Sequence, residues 1–335
     1  DQATALDSRG YPYYTAEWNE EFFPGYGSSW VSYHGAVGIL YEMSRTTGTL
    51  VRQKGGTVRT FAQAVEHQAT SSMANLSTLA ANREEVLRDF VADRRAAIAR
   101  AGQGGPAAWL FPRGRNPERV DRLVTLLRAQ GIEVLRNTGA PGLSGLRDGR
   151  TGEAVPAEGL PADLWLVRLD QPSGLLARNL LDPHIPMNAE FFREEREYQE
   201  RGKGTRLYET TAWSLPLAYD VDAYWTPRSP GAGWTADVPV EEPSGSFESV
   251  DDAVAYLIPG TEDRSGPALA DLLQRGIQVR IAEKPFRLDG REWDRATMVI
   301  RREGNPDDVE AQLGEVAERW KVAVRAVATG RAEEG

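Results

Sequence analysis

Cysteine is absent from this chain of 335 residues, and histidine occurs only at His34, His67 and His184. No cysteine means no disulfide, no thiolate nucleophile and no thiolate metal ligand. None of the histidines stands in a His-x-x-Glu pair, so the chain does not itself supply the three protein ligands of a catalytic zinc. No apolar run approaches the roughly 20 residues needed to span a bilayer, so no membrane span is expected. Neither dinucleotide nor phosphate-loop glycine patterns occur, and there is no G-x-S-x-G turn for a serine nucleophile. Positive charge is also in short supply. Against 49 acidic residues stand 39 Lys and Arg, a net charge of −10, which disfavours nucleic acid or an anionic membrane as partner.

What is present is ordinary for a folded protein. Hydrophobic residues make up 41% and charged residues 26%, enough for packed cores, and the length allows two or three domains. The most informative stretch lies near the start. Ala36-Val37-Gly38-Ile39-Leu40-Tyr41 is an apolar run that predicts a buried strand, and it ends on Glu42. A carboxylate at the end of a buried strand costs free energy unless it is paired or used. Upstream, Phe22-Phe23-Pro24-Gly25-Tyr26-Gly27-Ser28-Ser29-Trp30 is a glycine-punctuated aromatic loop, of the kind that folds over a small-molecule or peptide-end pocket. From the residues alone, Glu42 is either a structural carboxylate bonded to backbone or a site residue.

Three motifs, Gly25-Tyr26-Gly27-Ser28-Ser29-Trp30, Ser32-Tyr33-His34-Gly35-Ala36 and Tyr41-Glu42, carry a resemblance. Residues 11–68 resemble the last part of the catalytic domain of M14-type zinc carboxypeptidases, most closely large multidomain bacterial members. The resemblance implies that Glu42 is the general base of a hydrolase that cleaves C-terminal amide bonds. It implies Tyr26 as a loop hydroxyl near the substrate, with Phe22 or Phe23 as the alternative if the alignment runs through Trp30. It also implies a peptide C-terminus as substrate, zinc as the cofactor of the parent protein, and a secreted or periplasmic location. The family's zinc ligands lie upstream of the general base, and His34, His67 and His184 do not match them. The expectation is therefore a chain that begins inside the catalytic domain, binds no zinc alone, is inactive alone, and partners the remainder of that domain. The competing expectation is a non-catalytic binding or scaffolding module derived from such a peptidase.

After Gly55-Gly56, Thr60 and Gln63 fit a capping box. Phe61, Val65, Ala69, Met73, Leu76, Leu79 and Ala80, then Leu87, Phe90, Val91 and Ile98, recur at helical spacing and predict a long helix or helix pair with this stripe as its core face. Beyond Pro106 the chain echoes itself. Leu126-Leu127-Arg128-Ala129-Gln130-Gly131-Ile132-Glu133-Val134 and Leu272-Leu273-Gln274-Arg275-Gly276-Ile277-Gln278-Val279 each end a predicted helix on a glycine and enter a strand. A strand precedes each helix, at 108–112 and 255–259. Further strands are predicted at 164–168, 297–301 and 322–327. Alternating strands and helices predict α/β units with mostly parallel strands, either two sheets or two halves of one. The expected organisation is a partial carboxypeptidase-type α/β sheet with the long helix over 1–101, an accessory α/β domain over 107–226 and a second unit over 246–328. Residues 1–56 are expected to be less compact than 107–328.

Four further segments complete the reading. Arg113 and Arg115 lie in a strand-to-helix loop where α/β folds bind anions. Gln171-Pro172-Ser173 and the aromatic segment 208–217 have no assigned chemistry, the latter suiting interdomain packing or a groove wall. Residues 191–206 are densely charged and predict a solvated helix or loop. The Pro/Gly-rich stretch 227–245 predicts a linker.

Overall fold

The computed structural model describes residues 1–14, 23–42, 50–114, 116–137, 142–184, 189–205, 213–241 and 243–333. They form two compact units, one of Asp1–Pro112 with Leu126–Asp237 and one of Arg113–Thr125 with Val238–Gly335. Both mix helices with sheet, as the alternating pattern predicts.

The first unit opens with helices α1 (Gln2–Asp7) and α2 (Gly27–Tyr33), the two-residue strands β1 (Val51–Arg52) and β2 (Val58–Arg59), and helices α3 (Phe61–Ala81) and α4 (Arg83–Ala99). The capping box forms as the sequence predicts. Thr60 Oγ1 accepts from Gln63 N at 3.1 Å, and Gln63 Oε1 accepts from Thr60 N at 2.9 Å. The stripe does not become a core face. Phe61, Val65, Met73, Leu76, Leu79, Leu87, Phe90 and Val91 are all exposed, Leu87 at 64%. The buried side of α3 consists of Ala64, His67, Thr70 and Ser71, and α4 buries no residue. Helix α1 packs against α3, where small residues permit close approach, and the bulky apolar side stays largely exposed, with Phe90 lying against Gly35 and beneath Arg94.

The rest of this unit is built on β3 (Ala108–Pro112), β4 (Leu135–Asn137), β5 (Arg147–Asp148), β6 (Leu164–Arg168), helices α6 (Gly174–Leu181), α7 (Ala189–Glu200) and α8 (Leu215–Ala218), β7 (Tyr224–Thr226) and β8 (Trp234–Thr235), while helix α5 (Pro117–Ala129), which follows β3 in the chain, belongs to the second unit up to Thr125. Its sheet runs β5-β7-β3-β6-β4-β8, and every pairing is antiparallel. Strand β3 is buried along its length. Ala108 and Leu110 on one side meet Leu135, Leu146, Leu164 and Leu166, as period-two alternation requires. The 227–245 stretch is more than a linker, because β8 within it pairs with β4. Helix α7 is largely exposed, as its charge predicts, with Glu195 buried and accepting from Gln199 and Thr205.

The second unit contains β9 (Ser246–Glu248), β10 (Ala255–Ile258), α9 (Ser265–Gln274), β11 (Arg280–Ile281), the hairpin β12 (Phe286–Leu288) and β13 (Arg291–Trp293), β14 (Met298–Arg301), α10 (Val309–Trp320) and β15 (Ala323–Val327). Its sheet order is β11-β14-β10-β15-β9. Tyr256, Ile258, Met298, Ile300 and Val324 pack under Leu272 of α9 and Leu313 and Val316 of α10. Ala255, Leu257 and Val327 face the other way, toward Leu288 and Trp293 of the hairpin.

The sequence echo is a repeat of topology. For each of the two larger sheets, a strand, a helix and a second strand in chain order are followed by a third strand that inserts between the first two: β6 between β3 and β4, and β14 between β10 and β11. A fourth strand, β7 or β15, then pairs on the far side of the first. This is the split β-α-β arrangement. It corrects the expectation of mostly parallel strands. The crossover helix does return the chain parallel, but the inserted strand is antiparallel to both neighbours. Among the described residues the one parallel pair is β15 with β9. Both sheets end on short strands, two residues in β5, β8 and β11 and three in β9.

Candidate functional site

Helix α2 organises the surroundings of Glu42. Tyr26 is its N-cap, with extended backbone, and its carbonyl accepts from Trp30 N at 2.8 Å. Phe23 packs edge-on against Tyr26, with ring centroids 5.6 Å apart, and against the buried Trp213 at 6.3 Å. Trp30 lies against His34 at 4.2 Å and donates its indole N–H to Gln130 Oε1 at 2.9 Å. The aromatic loop is therefore a packed element rather than an open flap.

Residues 36–42 follow without forming the predicted strand. Gly38 runs so close to α2 that a Cβ there would stand 2.4 Å from the Ser28 carbonyl oxygen. The segment has α2 on one side and no strand partner among the described residues, and its apolar side chains face outward, with Val37 80%, Ile39 48% and Leu40 49% exposed. Tyr41 anchors the far end: its hydroxyl accepts from Gln2 Nε2 at 2.7 Å and from Asn75 Nδ2. Glu42 comes next and is exposed. It makes no hydrogen bond or ion pair with any described residue, so no hydrogen bond joins it to Tyr26. The buried strand-end carboxylate expected from the sequence is instead a free carboxylate on an irregular segment.

The histidines are placed apart. His34 caps the C-terminus of α2, its Nε2 is buried with no hydrogen-bond partner among the described residues, and burial followed by the charge of Arg94 lowers its pKa. His67 is buried in α3 with its ring 4.0 Å from that of Tyr11, and burial lowers its pKa as well. His184 holds the Arg150 carbonyl through Nε2 at 2.9 Å. Among the described residues no three His, Asp or Glu side chains converge to hold a metal ion. The described residues thus do not fit zinc.

Two groups that sequence reasoning passed over hold this region. Arg94 Nη1 donates to the Tyr33 carbonyl at 2.9 Å and to the Pro172 carbonyl at 3.0 Å, tying α4 to the end of α2 and the turn before α6. Gly35 makes room for it, since a Cβ there would sit 2.9 Å from Arg94 Nε. Asn75 is the other, through Tyr41. Neither carries a local pattern; only the fold brings residues 34 to 78 positions apart together. The Gln171-Pro172-Ser173 segment acquires a structural role. Gln171 accepts from Glu133 N at 2.7 Å and donates to the Glu133 and Arg168 carbonyls at 3.1 and 2.6 Å. Ser173 donates to the Gly131 carbonyl at 2.9 Å.

In the loop before α5, Arg113 is already paired. Arg113 pairs with Asp121 through Nε at 2.9 Å and Nη2 at 2.6 Å, and with Glu241 at 3.2 Å. The protein's own carboxylates occupy the place an anion would take. Arg115, Phe22 and residues 208–212 lie outside the described residues. No family model matches this chain, and neither a curated protein nor a solved structure shows significant similarity to it.

Proposed function

We propose that the chain carries the general-base segment of a zinc metallocarboxypeptidase-like hydrolase that cleaves C-terminal amide bonds. The observation that supports it is the state of Glu42: exposed, unpaired, and fixed in place by Tyr41 at the end of an apolar segment that has no cover. A carboxylate committed to no ion pair is available as a base. Glu42 takes a proton from the water that attacks the scissile carbonyl and returns it to the departing amine. Tyr26 is the substrate-side hydroxyl on this reading. Zinc and its ligands belong to residues other than those described, the remainder of the catalytic domain is the partner, and export to the periplasm or beyond goes with the resemblance.

The test is Glu42→Gln in a protein that includes the rest of the catalytic domain. Hydrolysis of a peptide substrate should fall about 10²–10⁴-fold, with fold and bound metal unchanged. Turnover within a few-fold of the parent would refute the role. A second reading, a non-catalytic binding or scaffolding module, is favoured by the wide exposed apolar side of α3 and α4. It predicts no peptidase activity in the same protein and no effect of Glu42→Gln on anything measured.

A further inference from the structure

The second unit contains a cavity of about 890 Å³, within the size range of small-molecule sites. It lies on the face of the sheet turned away from α9 and α10. Leu257, Val299, Phe286 and Leu288 supply apolar wall. Ala253, Ala255, Ala282, Gly330 and Ala332 are too small to fill the space between them, and one side is open to solvent.

Arg301, Arg302 and Glu303 stand together in the lining, two cations to one carboxylate. Arg301 stands directly opposite Ala255 in the β14–β10 register, and Val299 opposite Leu257, so Arg301 continues the row of side chains that walls the cavity. Among the described residues its one ion pair is with Glu303, at 3.5 Å, and both side chains are largely exposed. Arg302 lines the same end and makes no ion pair or hydrogen bond through its guanidinium with any described residue. A second unsatisfied group lies in the cavity wall cluster. Trp293, stacked on Phe286, buries its indole N–H without an acceptor among the described residues, which is unfavourable if left so.

We propose that this cavity binds a small molecule with an apolar body and a single carboxylate, of the class of medium-chain alkyl carboxylates. The alkyl body displaces water from the alanine-lined space, and the carboxylate pairs with Arg301. Guanidinium and carboxylate match in geometry as well as charge. An apolar cation would meet like charge at the mouth, and a neutral chain would leave Arg301 unused.

The experiment uses the full chain with labelled Leu, Val and Ala methyl groups, titrated with octanoate, octylammonium and 1-octanol. Octanoate should shift the methyl signals of Ala255, Leu257, Leu288 and Val299 saturably, and octylammonium should not. Arg301→Gln, an exposed change that leaves folding intact, should weaken octanoate about 10-fold or more, or about 1.4 kcal/mol, while leaving 1-octanol unchanged. Ala255→Phe should fill the space and abolish the shifts, with amide exchange protection of β10 retained as the check on folding. The proposal is overturned by octylammonium binding as well as octanoate, by indifference of octanoate to Arg301→Gln, by shifts confined to other methyl groups, or by no saturable shift at concentrations on the order of 1 mM, where binding is worth about 4 kcal/mol.

Discussion

Ala108-Trp109-Leu110-Phe111-Pro112 and Ala255-Tyr256-Leu257-Ile258-Pro259 occupy the same place, the first strand of a split β-α-β sheet, in the two units. In both, the alanine and the leucine share a face, and in both an arginine stands opposite the alanine: Arg168 opposite Ala108, Arg301 opposite Ala255. The faces then diverge. In the first unit Leu135, Leu146, Leu164 and Leu166 fill the space, and Arg168 is bound at both ends of its fork to Asp170, at 2.9 and 2.5 Å. In the second the corresponding space, between Leu257, Leu288 and several alanines, is left open, and among the described residues Arg301 has only its long contact to Glu303. One copy has a closed face and a satisfied arginine; the other has an open face and an arginine in reserve. The lesson is that a strand motif sets topology, while the side chains around it decide whether the same face becomes core or cavity.

The largest effect should come from truncating the shared leucine. Leu110→Ala removes a side chain from a filled face and should cost about 3–5 kcal/mol, whereas Leu257→Ala borders an existing void, loses fewer contacts and should cost about 2 kcal/mol. Amide exchange of the β3 and β10 peptides reads the two units separately, which a single unfolding curve would not. Equal losses would mean the two faces are packed alike.

Enlarging the shared alanine sharpens the contrast further. Ala108→Leu should destabilise the first unit by about 1–3 kcal/mol through overpacking, and Ala255→Leu should leave the second within about 0.5 kcal/mol or stabilise it. A penalty for both would remove the distinction.

Acid separates the units by a different route. Asp271 in α9 accepts from Trp320 Nε1 at 2.8 Å and Arg275 Nε at 3.0 Å, and those bonds hold its carboxyl below the usual carboxylate range. Such a group contributes stability fully above the unfolded carboxylate pKa, and that contribution is lost as pH falls through the lowered folded value. Asp271→Asn should cost the second unit about 1.5–3 kcal/mol at neutral pH and flatten its acid limb below about pH 4. The first unit, whose Asp170 is held low by Arg168, should keep its own acid limb. An unchanged acid limb in the second unit would show that Asp271 is not its sensor.

The smallest change belongs to the N-terminal helices. Leu76→Ala, at 59% exposure, should alter stability in the isolated chain by no more than about 0.5 kcal/mol. A larger loss would show that the stripe is covered in solution.

These contrasts also mark what the sequence disclosed. The capping box at Thr60 and Gln63, the helix-ending Gly131 and Gly276 and the paired strand motifs were legible because each is a local bargain between neighbouring residues and backbone. Strand direction was not: nothing in β3, α5 and β4 announces that β6 will insert between them. The stripe of α3 and α4 misled for a related reason. Periodicity identifies an apolar side but not whether anything meets it. At the candidate site, the apolar run drew attention to Glu42, and the family resemblance alone suggested Tyr26. The sequence placed Glu42 at the end of a strand that does not form, because an apolar run becomes a strand only where a neighbouring strand accepts its backbone bonds. Arg94 and Asn75 were invisible, being joined to the site only by long-range contacts.

The short outer strands have a consequence for behaviour in concentrated solution. Terminal strands of two or three residues, with Arg147 and Asp148, Arg280, and Glu248 among them, offer too little unpaired backbone to template a neighbouring chain. Edge-to-edge fibril growth therefore has poor purchase on either sheet. The adhesive surfaces are the greasy sides of α3 and α4 and residues 36–40, so crowding should produce loose helical clumps that salting-out anions strengthen and urea dissolves, without the cross-β spacing of stacked strands.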